Sequence, residues 1–240
     1  MRYLLIIVTL LMANGVKSQH VLVDCRDSTA YDVVDIGGTL WMKEDLKYKS
    51  ELSRSLTGDY ADKYPHLRGR FYHINELDSV CPCDWKLPDV EDWIAFYDHL
   101  ATINSDSLQI KLSFDKAAIA IMNYHSTIDV FSDDNPLNLR TNGRMEGEQY
   151  FYLEGLADYW VKDPPDFSEG TRNLRPGVVH VLPQVFSGKT HIHIRSQGLS
   201  NIHSHNHHLD PKKEKKLRKF MVRCIKPKDG TDSMQADVPD

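Results

Sequence analysis

Six of the twelve histidines in this chain of 240 residues lie in one short segment. Two of them, His191 and His193, alternate along an extended run, so both belong to the same side of a predicted strand. The other four follow in a polar stretch: His203, His205, His207 and His208. Imidazoles at such spacing can bind zinc, copper or nickel. A His-rich metal-binding protein is therefore one hypothesis for this sequence.

The surroundings of these histidines favour a solvated loop without a metal. A structural zinc site presents four ordered ligands, but Asp210 is the one carboxylate or thiol nearby. The basic run that follows, residues 212–219, disfavours a cation. A second oxygen-rich segment, Asp133-Asp134-Asn135-Pro136, could hold calcium but is interpreted as a turn. We predict no metal and no cofactor.

Four cysteines provide the other chemistry: Cys25, Cys81, Cys83 and Cys224. An even number in an exported chain predicts two disulfides, for which three pairings are possible. Free buried thiols are the alternative. A redox role for Cys81-Pro82-Cys83 is disfavoured, because redox pairs more often have two intervening residues and open a helix.

Catalytic motifs are missing from the sequence. It has no Gly-x-Ser-x-Gly elbow, phosphate loop, dinucleotide fingerprint or His-Glu-x-x-His. Acidic pairs such as Glu44-Asp45 and Glu91-Asp92 are interpreted as a strand end and a first helical turn. We therefore predict no catalytic residues and a protein that is not an enzyme.

One amphipathic helix and several short strands are predicted to position these groups. Asp89 can cap a helix over residues 89–101 that has one apolar face. Residues 31–36 and 39–42 form a predicted hairpin about Gly37-Gly38. Further strands or extended pieces are predicted at 21–23, 69–74, 150–153, 159–161, 178–185, 190–194 and 220–225, and the polar residues 49–70 are predicted to be loop-rich. The four tryptophans, at 41, 85, 93 and 160, are predicted to lie in the core.

The first residues predict export. Met1-Arg2 is a basic start, residues 3–13 are apolar except for Thr9, and Val16-Lys17-Ser18 has small or apolar residues at the positions that a signal peptidase reads. We predict a signal peptide at 1–18, one domain at 19–226 and a disordered tail at 227–240. No transmembrane segment is predicted, and the formal net charge of −5 argues against nucleic acid as partner. The expected location is secreted or cell surface, with the periplasm also open.

Four sequence blocks resemble the Fibrobacter succinogenes major paralogous domain family. The opening block is Tyr31 to Leu46, with Ile36-Gly37, Trp41-Met42 and Glu44-Asp45-Leu46. The central block has Cys81-Pro82, Trp85, Leu87-Pro88 and Trp93, and the closing block is Phe220 to Lys226. The third block, Asp158-Tyr159-Trp160, is a weaker match because the family's serines are missing. The resemblance runs from about Tyr31 to Lys226.

The resemblance implies a C-type lectin-like α+β fold with short antiparallel strands and long irregular loops, closed by pairing of terminal strands. It implies a Cys81–Cys224 disulfide, which leaves Cys25 for Cys83. It also implies a non-enzymatic binding or adhesion module whose unknown partner is an extracellular glycan or protein. A structural surface protein is the alternative. An enzyme related to formylglycine-generating enzymes is less favoured, because it would need reactive cysteines.

Overall fold

The computed structural model describes residues 20–104, 107–112, 120–125, 136–162, 177–182, 190–196 and 218–228. The strands of these residues are β1 (His20–Val23), β2 (Ala30–Ile36), β3 (Thr39–Met42), β4 (Tyr72–His73), β5 (Ser107–Leu112), β6 (Ala120–His125), β7 (Arg144–Glu146), β8 (Gln149–Phe151), β9 (Ala157–Val161), β10 (Gly177–Leu182), β11 (Thr190–Ser196), β12 (Arg218–Phe220) and β13 (Ile225–Pro227). The helices are α1 (Asp59–Lys63), a 3₁₀ helix (Ile74–Ser79) and α2 (Val90–Asn104). The predicted α+β class with short antiparallel strands is confirmed.

The strands form three sheets. The terminal sheet has the order β1-β2-β3-β13, and the small sheet has the order β4-β12-β7-β8. The central sheet has the order β5-β6-β11-β10-β9. Every pair of neighbouring strands in these sheets is antiparallel.

The terminal sheet joins the two ends of the described domain. β2 and β3 form the predicted hairpin, and its turn residues Gly37 and Gly38 have φ of 62° and 85°. Positive φ at both turn residues is typical of the tight hairpin turn that matches strand twist, and glycine adopts it without strain. β13 then pairs with β3, placing Ile225 opposite Trp41. The chain thus closes by pairing an early strand with a late one.

The main core lies between α2 and one face of the central sheet. α2 buries Val90, Trp93, Phe96, Tyr97, Leu100 and Ala101. The same hydrophobic cluster contains Tyr159, Val179 and Ile192 from the sheet. The rings of Trp41 and Trp93 meet edge to face with centroids 5.1 Å apart, an arrangement that aromatic pairs prefer.

Three details differ from the sequence predictions. The predicted strand at 220–225 is interrupted, because β12 ends at Phe220 and β13 begins at Ile225. The polar segment 49–70 contains the short helix α1. Pro227 ends β13, although the sequence places it in a disordered tail, and Lys228 N–H donates to Gly38 O at 3.0 Å.

The start of α2 is fixed by two reciprocal hydrogen bonds. Asp92 N–H donates to Asp89 Oδ1, and Asp89 N–H donates to Asp92 Oδ2, both at 2.9 Å. This is a capping box in which aspartate replaces the usual glutamate. Burial tends to raise the pKa of Asp89, but hydrogen bonds from Asp92 and the charge of Lys86 outweigh burial and lower it. The predicted cap at Asp89 is confirmed.

Replacing Asp89 with alanine is expected to lower the free energy of unfolding by about 1 kcal/mol, since a backbone N–H at the helix start loses its acceptor. Because the folded pKa is depressed, this stabilisation is present above the ordinary carboxyl pKa of 3.8 and is lost as pH falls through the folded value. Urea unfolding near neutral pH and in acid measures both effects. The exposed Asp98→Ala on the same helix is the control, with a change within about 0.5 kcal/mol. Equal losses in the two variants would contradict a capping role.

Candidate functional site

Both disulfides lie at one end of the terminal sheet. Cys81 is bonded to Cys224 with the Cα atoms 5.8 Å apart, and Cys25 is bonded to Cys83 with the Cα atoms 6.3 Å apart. This is the pairing that the family resemblance implies. Cys81 and Cys83 thus have different partners, and no cysteine is free. In this state the Cys-Pro-Cys segment is not a redox pair, and no thiol is available as a nucleophile.

The segment between these disulfides and α2 is held from several directions. The backbone of Lys86 exchanges two hydrogen bonds with Ile225, with N···O distances of 2.8 and 2.9 Å. Pro88 O accepts from Lys162 N–H at 2.8 Å. Two cross-links and these bonds fix the position of the segment that carries Trp85.

Trp85 lines an open cavity of about 260 Å³. The full lining is Leu77, Asp78, Cys81, Trp85, Lys86, Leu87 and Lys162. Trp85 is half-buried, whereas Trp41, Trp93 and Trp160 are at most 1% exposed. Three of the four tryptophans therefore lie in the core as predicted. Trp85 is only partly buried and packs against the edge of a second hydrophobic cluster that includes Leu77 and Leu87, so the prediction holds for it only in part.

Polar groups surround the Trp85 indole. Asp78 and Lys162 are exposed. Lys86 Nζ is held by Asp92 Oδ2 at 2.9 Å and Asp89 Oδ2 at 3.4 Å. Burial tends to lower the pKa of Lys86, but these carboxylates outweigh burial and raise it, so its ammonium stays charged. The cavity combines an aromatic surface with donors and acceptors, the chemistry suited to a sugar ring.

A buried ion pair lies beneath a second, smaller cavity. Arg223 is 1% exposed, and its Nε–H donates to Asp45 Oδ1 at 2.6 Å. Its other N–H groups donate to the carbonyls of Met42 (3.2 Å), Leu137 (2.5 Å) and Asn138 (3.1 Å). Burial tends to lower the pKa of Arg223, but Asp45 and Tyr159 outweigh it and raise that pKa. These partners indicate a structural role for Arg223.

Gly69 lets its segment approach this ion pair closely. A Cβ at Gly69 would lie 2.4 Å from the Asp45 Cβ and 2.6 Å from the Met221 Sδ. Gly69, Asp45 and Arg223 all line the second cavity, of about 140 Å³. The Arg223 N–H groups already donate to protein oxygens, so they do not mark this cavity as a ligand site.

A second buried carboxylate lies on the central sheet. Asp158 is 0% exposed, and the His180 Nδ1–H donates to its Oδ1 at 2.5 Å. The Arg144 Nη1 is 4.0 Å from Asp158 Oδ2, and the Asp158 N–H donates to Asn142 Oδ1 at 3.0 Å. The His180 side chain is 18% exposed, so this pair reaches the surface.

Several sequence predictions fall outside the described residues. They are the signal peptide at 1–18, the acidic residues 133–135, the histidines 203–208 and the tail from residue 229. His191 and His193 are placed in β11 by their backbone. Within the described part of the chain, no group of three His, Cys, Asp or Glu side chains is arranged to hold a metal, and no helix is long and apolar enough to span a membrane.

The Fibrobacter succinogenes major domain matches residues 34–226 of this sequence, which is more than half of the chain. The chain belongs to this family. No curated protein and no solved structure matches it. The C-type lectin-like assignment of the fold therefore stays a prediction.

The family's sequence blocks fall on structural elements. The opening block forms the β2–β3 hairpin, and the central block leads from Cys81 into α2. The closing block contains Arg223, which forms an ion pair with Asp45, and Cys224, which forms a disulfide with Cys81. The matched residues thus explain how the domain is stabilised more directly than what it binds.

Two features do not follow from the sequence predictions. The sequence pattern places Asp45 with Glu44 at a strand end, whereas the structure shows Asp45 as the buried partner of Arg223. Arg223 is the one charged residue in the apolar run Phe220 to Ile225, and this is the available signal for a buried charge. The Asp158–His180 pair had no sequence signal beyond residue type, because it depends on which strands are neighbours.

Proposed function

We propose that this protein is a non-enzymatic binding module of the cell surface or the extracellular space. Family membership supports this proposal. So do the two disulfides, because such bonds persist in oxidising compartments. The bonded state of all four cysteines also counts against a thiol-dependent reaction.

The ligand is a saccharide bound in the Trp85 cavity. Trp85 is the observation that carries this assignment, because a partly buried indole at a cavity offers a flat apolar surface beside Asp78 and two lysines. The volume of about 260 Å³ is below the range of about 300–1,000 Å³ that encloses a drug-sized ligand. The cavity therefore accepts one sugar residue of a longer chain.

Replacing Trp85 with alanine is expected to weaken saccharide binding by about 30-fold or more, the usual loss when an aromatic anchor is truncated. A glycan array with bacterial, plant and animal oligosaccharides identifies the probe. Titration calorimetry with the best array ligand then compares the parent and the variant.

The matched control is Tyr152→Ala, which removes another aromatic side chain that is 52% exposed. Its affinity for the same oligosaccharide should equal that of the parent. Equal binding by Trp85→Ala and the parent would exclude this cavity as the binding site. An array without any ligand would remove the saccharide assignment and favour a protein partner or a purely structural surface role.

A further inference from the structure

The second cavity carries an excess of positive charge. Among the described residues that line it, five are lysines or arginines and two are carboxylates, so three positive charges are in excess. The lysines and arginines are Lys43, Lys47, Arg68, Arg140 and Arg223. The whole chain has a formal net charge of −5, so this cavity is opposite in sign to the protein that contains it. A cleft with one dominant sign of charge attracts ions of the other sign.

Both carboxylates of this cavity already have cationic partners. Asp45 Oδ1 accepts from the Arg223 Nε–H at 2.6 Å, and Glu44 forms an ion pair with Lys47. The other Arg223 N–H groups donate to three backbone carbonyls, so Arg223 contributes charge rather than donors. The excess charge therefore lies on the remaining lysine and arginines of the lining.

Lys43 and Arg68 have donors available for a ligand. Lys43 is partly exposed and Arg68 is exposed. Within the described part of the chain, neither side chain forms an ion pair, and Arg68 uses only its Nε–H, which donates to Pro65 O at 3.3 Å. The nitrogens of a guanidinium form a fork that matches the two oxygens of a carboxylate, and an ammonium adds a point charge. These two side chains can therefore bind an oxyanion at the cavity.

Backbone hydrogen bonds fix the two segments that carry these cations. Lys43 N–H donates to Asp32 O at 2.9 Å, which holds Lys43 beside β2. Arg70 N–H donates to Leu46 O at 3.0 Å, which joins the segment of Arg68 to the segment of Lys43. A site built on fixed backbone loses less conformational entropy when a ligand binds.

Asn138 supplies an acceptor for the same ligand. It lines the cavity, and its Oδ1 is buried without a hydrogen-bond donor among the described residues. Its backbone is held in place, because its carbonyl accepts from Arg223 Nη2 at 3.1 Å. A buried acceptor without a donor is costly, so a ligand hydroxyl that donates to Oδ1 is bound favourably. The lining thus matches an anionic group with a hydroxyl beside it.

We propose that the second cavity binds the carboxylate and a neighbouring hydroxyl of a sugar acid. Arg68 and Lys43 bind the carboxylate, and Asn138 accepts from the hydroxyl. The volume of about 140 Å³ is below the range of about 300–1,000 Å³ that encloses a drug-sized ligand, so only this part of a longer ligand enters. The site shares no lining residue with the Trp85 cavity and does not rest on the saccharide assignment made for that cavity.

Titration with D-glucuronate, followed by NMR of the backbone amides, tests this site. Ionic strength is held constant, because salt screens charge attraction. Glucuronate is expected to bind the parent at millimolar concentration, and uncharged glucose should bind at least about tenfold more weakly. The amide signals of Gly69 and Asn138 should shift. A shift of the Trp85 indole N–H signal alone would overturn the proposal, and so would tighter binding of sulfate than of glucuronate.

The double variant Lys43→Gln, Arg68→Gln should bind glucuronate at least about tenfold more weakly than the parent. Without ligand it should be as stable as the parent, because both side chains are at least partly exposed. The matched control Arg54→Gln, Lys63→Gln removes the same charges from exposed positions outside the cavity and should keep the parent's affinity. Equal binding by the parent and the first variant, or an equal loss in the control, would overturn the proposal.

Discussion

Replacing Arg223 with methionine is expected to lower the free energy of unfolding by about 3–5 kcal/mol. Arg223 is 1% exposed and binds Asp45, whose side chain is 6% exposed. Methionine fills similar space but leaves this carboxylate buried without its partner. It also leaves the carbonyls of Met42, Leu137 and Asn138 without the N–H groups they now accept. Denaturant unfolding followed by tryptophan fluorescence, without reductant, measures the loss.

The control is Arg68→Met, which removes the same charge from an exposed position and should change stability by no more than about 0.5 kcal/mol. The double variant Asp45→Leu, Arg223→Met should lose less than the sum of its two single variants, because no unpaired charge stays buried. Additive losses of unfolding free energy, or a small effect of Arg223→Met alone, would show that the buried ion pair does not stabilise the fold.

Removing the Cys81–Cys224 bond by alanine substitution of both cysteines should cost about 4–5 kcal/mol. The bond joins residues 143 positions apart, so it strongly restricts the unfolded chain. Cys224 is also buried in the second hydrophobic cluster with Val222 and Phe220. Denaturant unfolding of the parent and the variant gives the difference. Peptide mapping without reductant verifies which bonds each protein contains.

The control is the double variant Cys25→Ala, Cys83→Ala. It removes a disulfide between two exposed cysteines that are 58 positions apart. Its loss should be smaller by about 1 kcal/mol, because loop-closure entropy grows slowly with length. A larger loss from this exposed pair than from Cys81–Cys224 would contradict the argument. Recovery of a Cys81–Cys83 peptide from the parent would also contradict it.

Local sequence patterns are sufficient to predict the helix and the hairpin that lie nearest the two disulfides. Asp89 precedes an apolar pattern with helical period, and it caps α2 at that position. Gly37-Gly38 lies between two apolar runs, and it forms the hairpin turn. Such features depend on residues only a few positions apart, so one sequence contains all the information they need.

Features that depend on distant residues were predicted less well. Asp45 and Arg223 are separated by 178 positions, and no local pattern indicates their pairing. The order of the central sheet places β10 beside β9 and β11, which decides that His180 meets Asp158. The exposure of Trp85 depends on neighbours supplied by the 3₁₀ helix and by Lys162. Tertiary packing, not local propensity, determines these three outcomes.

The pairing of β3 with β13 has a consequence for biosynthesis. A chain that crosses a membrane from its N-terminus presents Cys25, Cys81 and Cys83 long before Cys224. Until Cys224 follows, Cys81 can form a disulfide only with Cys25 or Cys83, and neither is its partner in the folded domain. β3 likewise lacks the neighbouring strand that Ile225 to Pro227 later form. If the chain is exported as proposed, the last residues of the domain complete its disulfide formation, and a chain truncated before Cys224 would be left with an unmatched thiol.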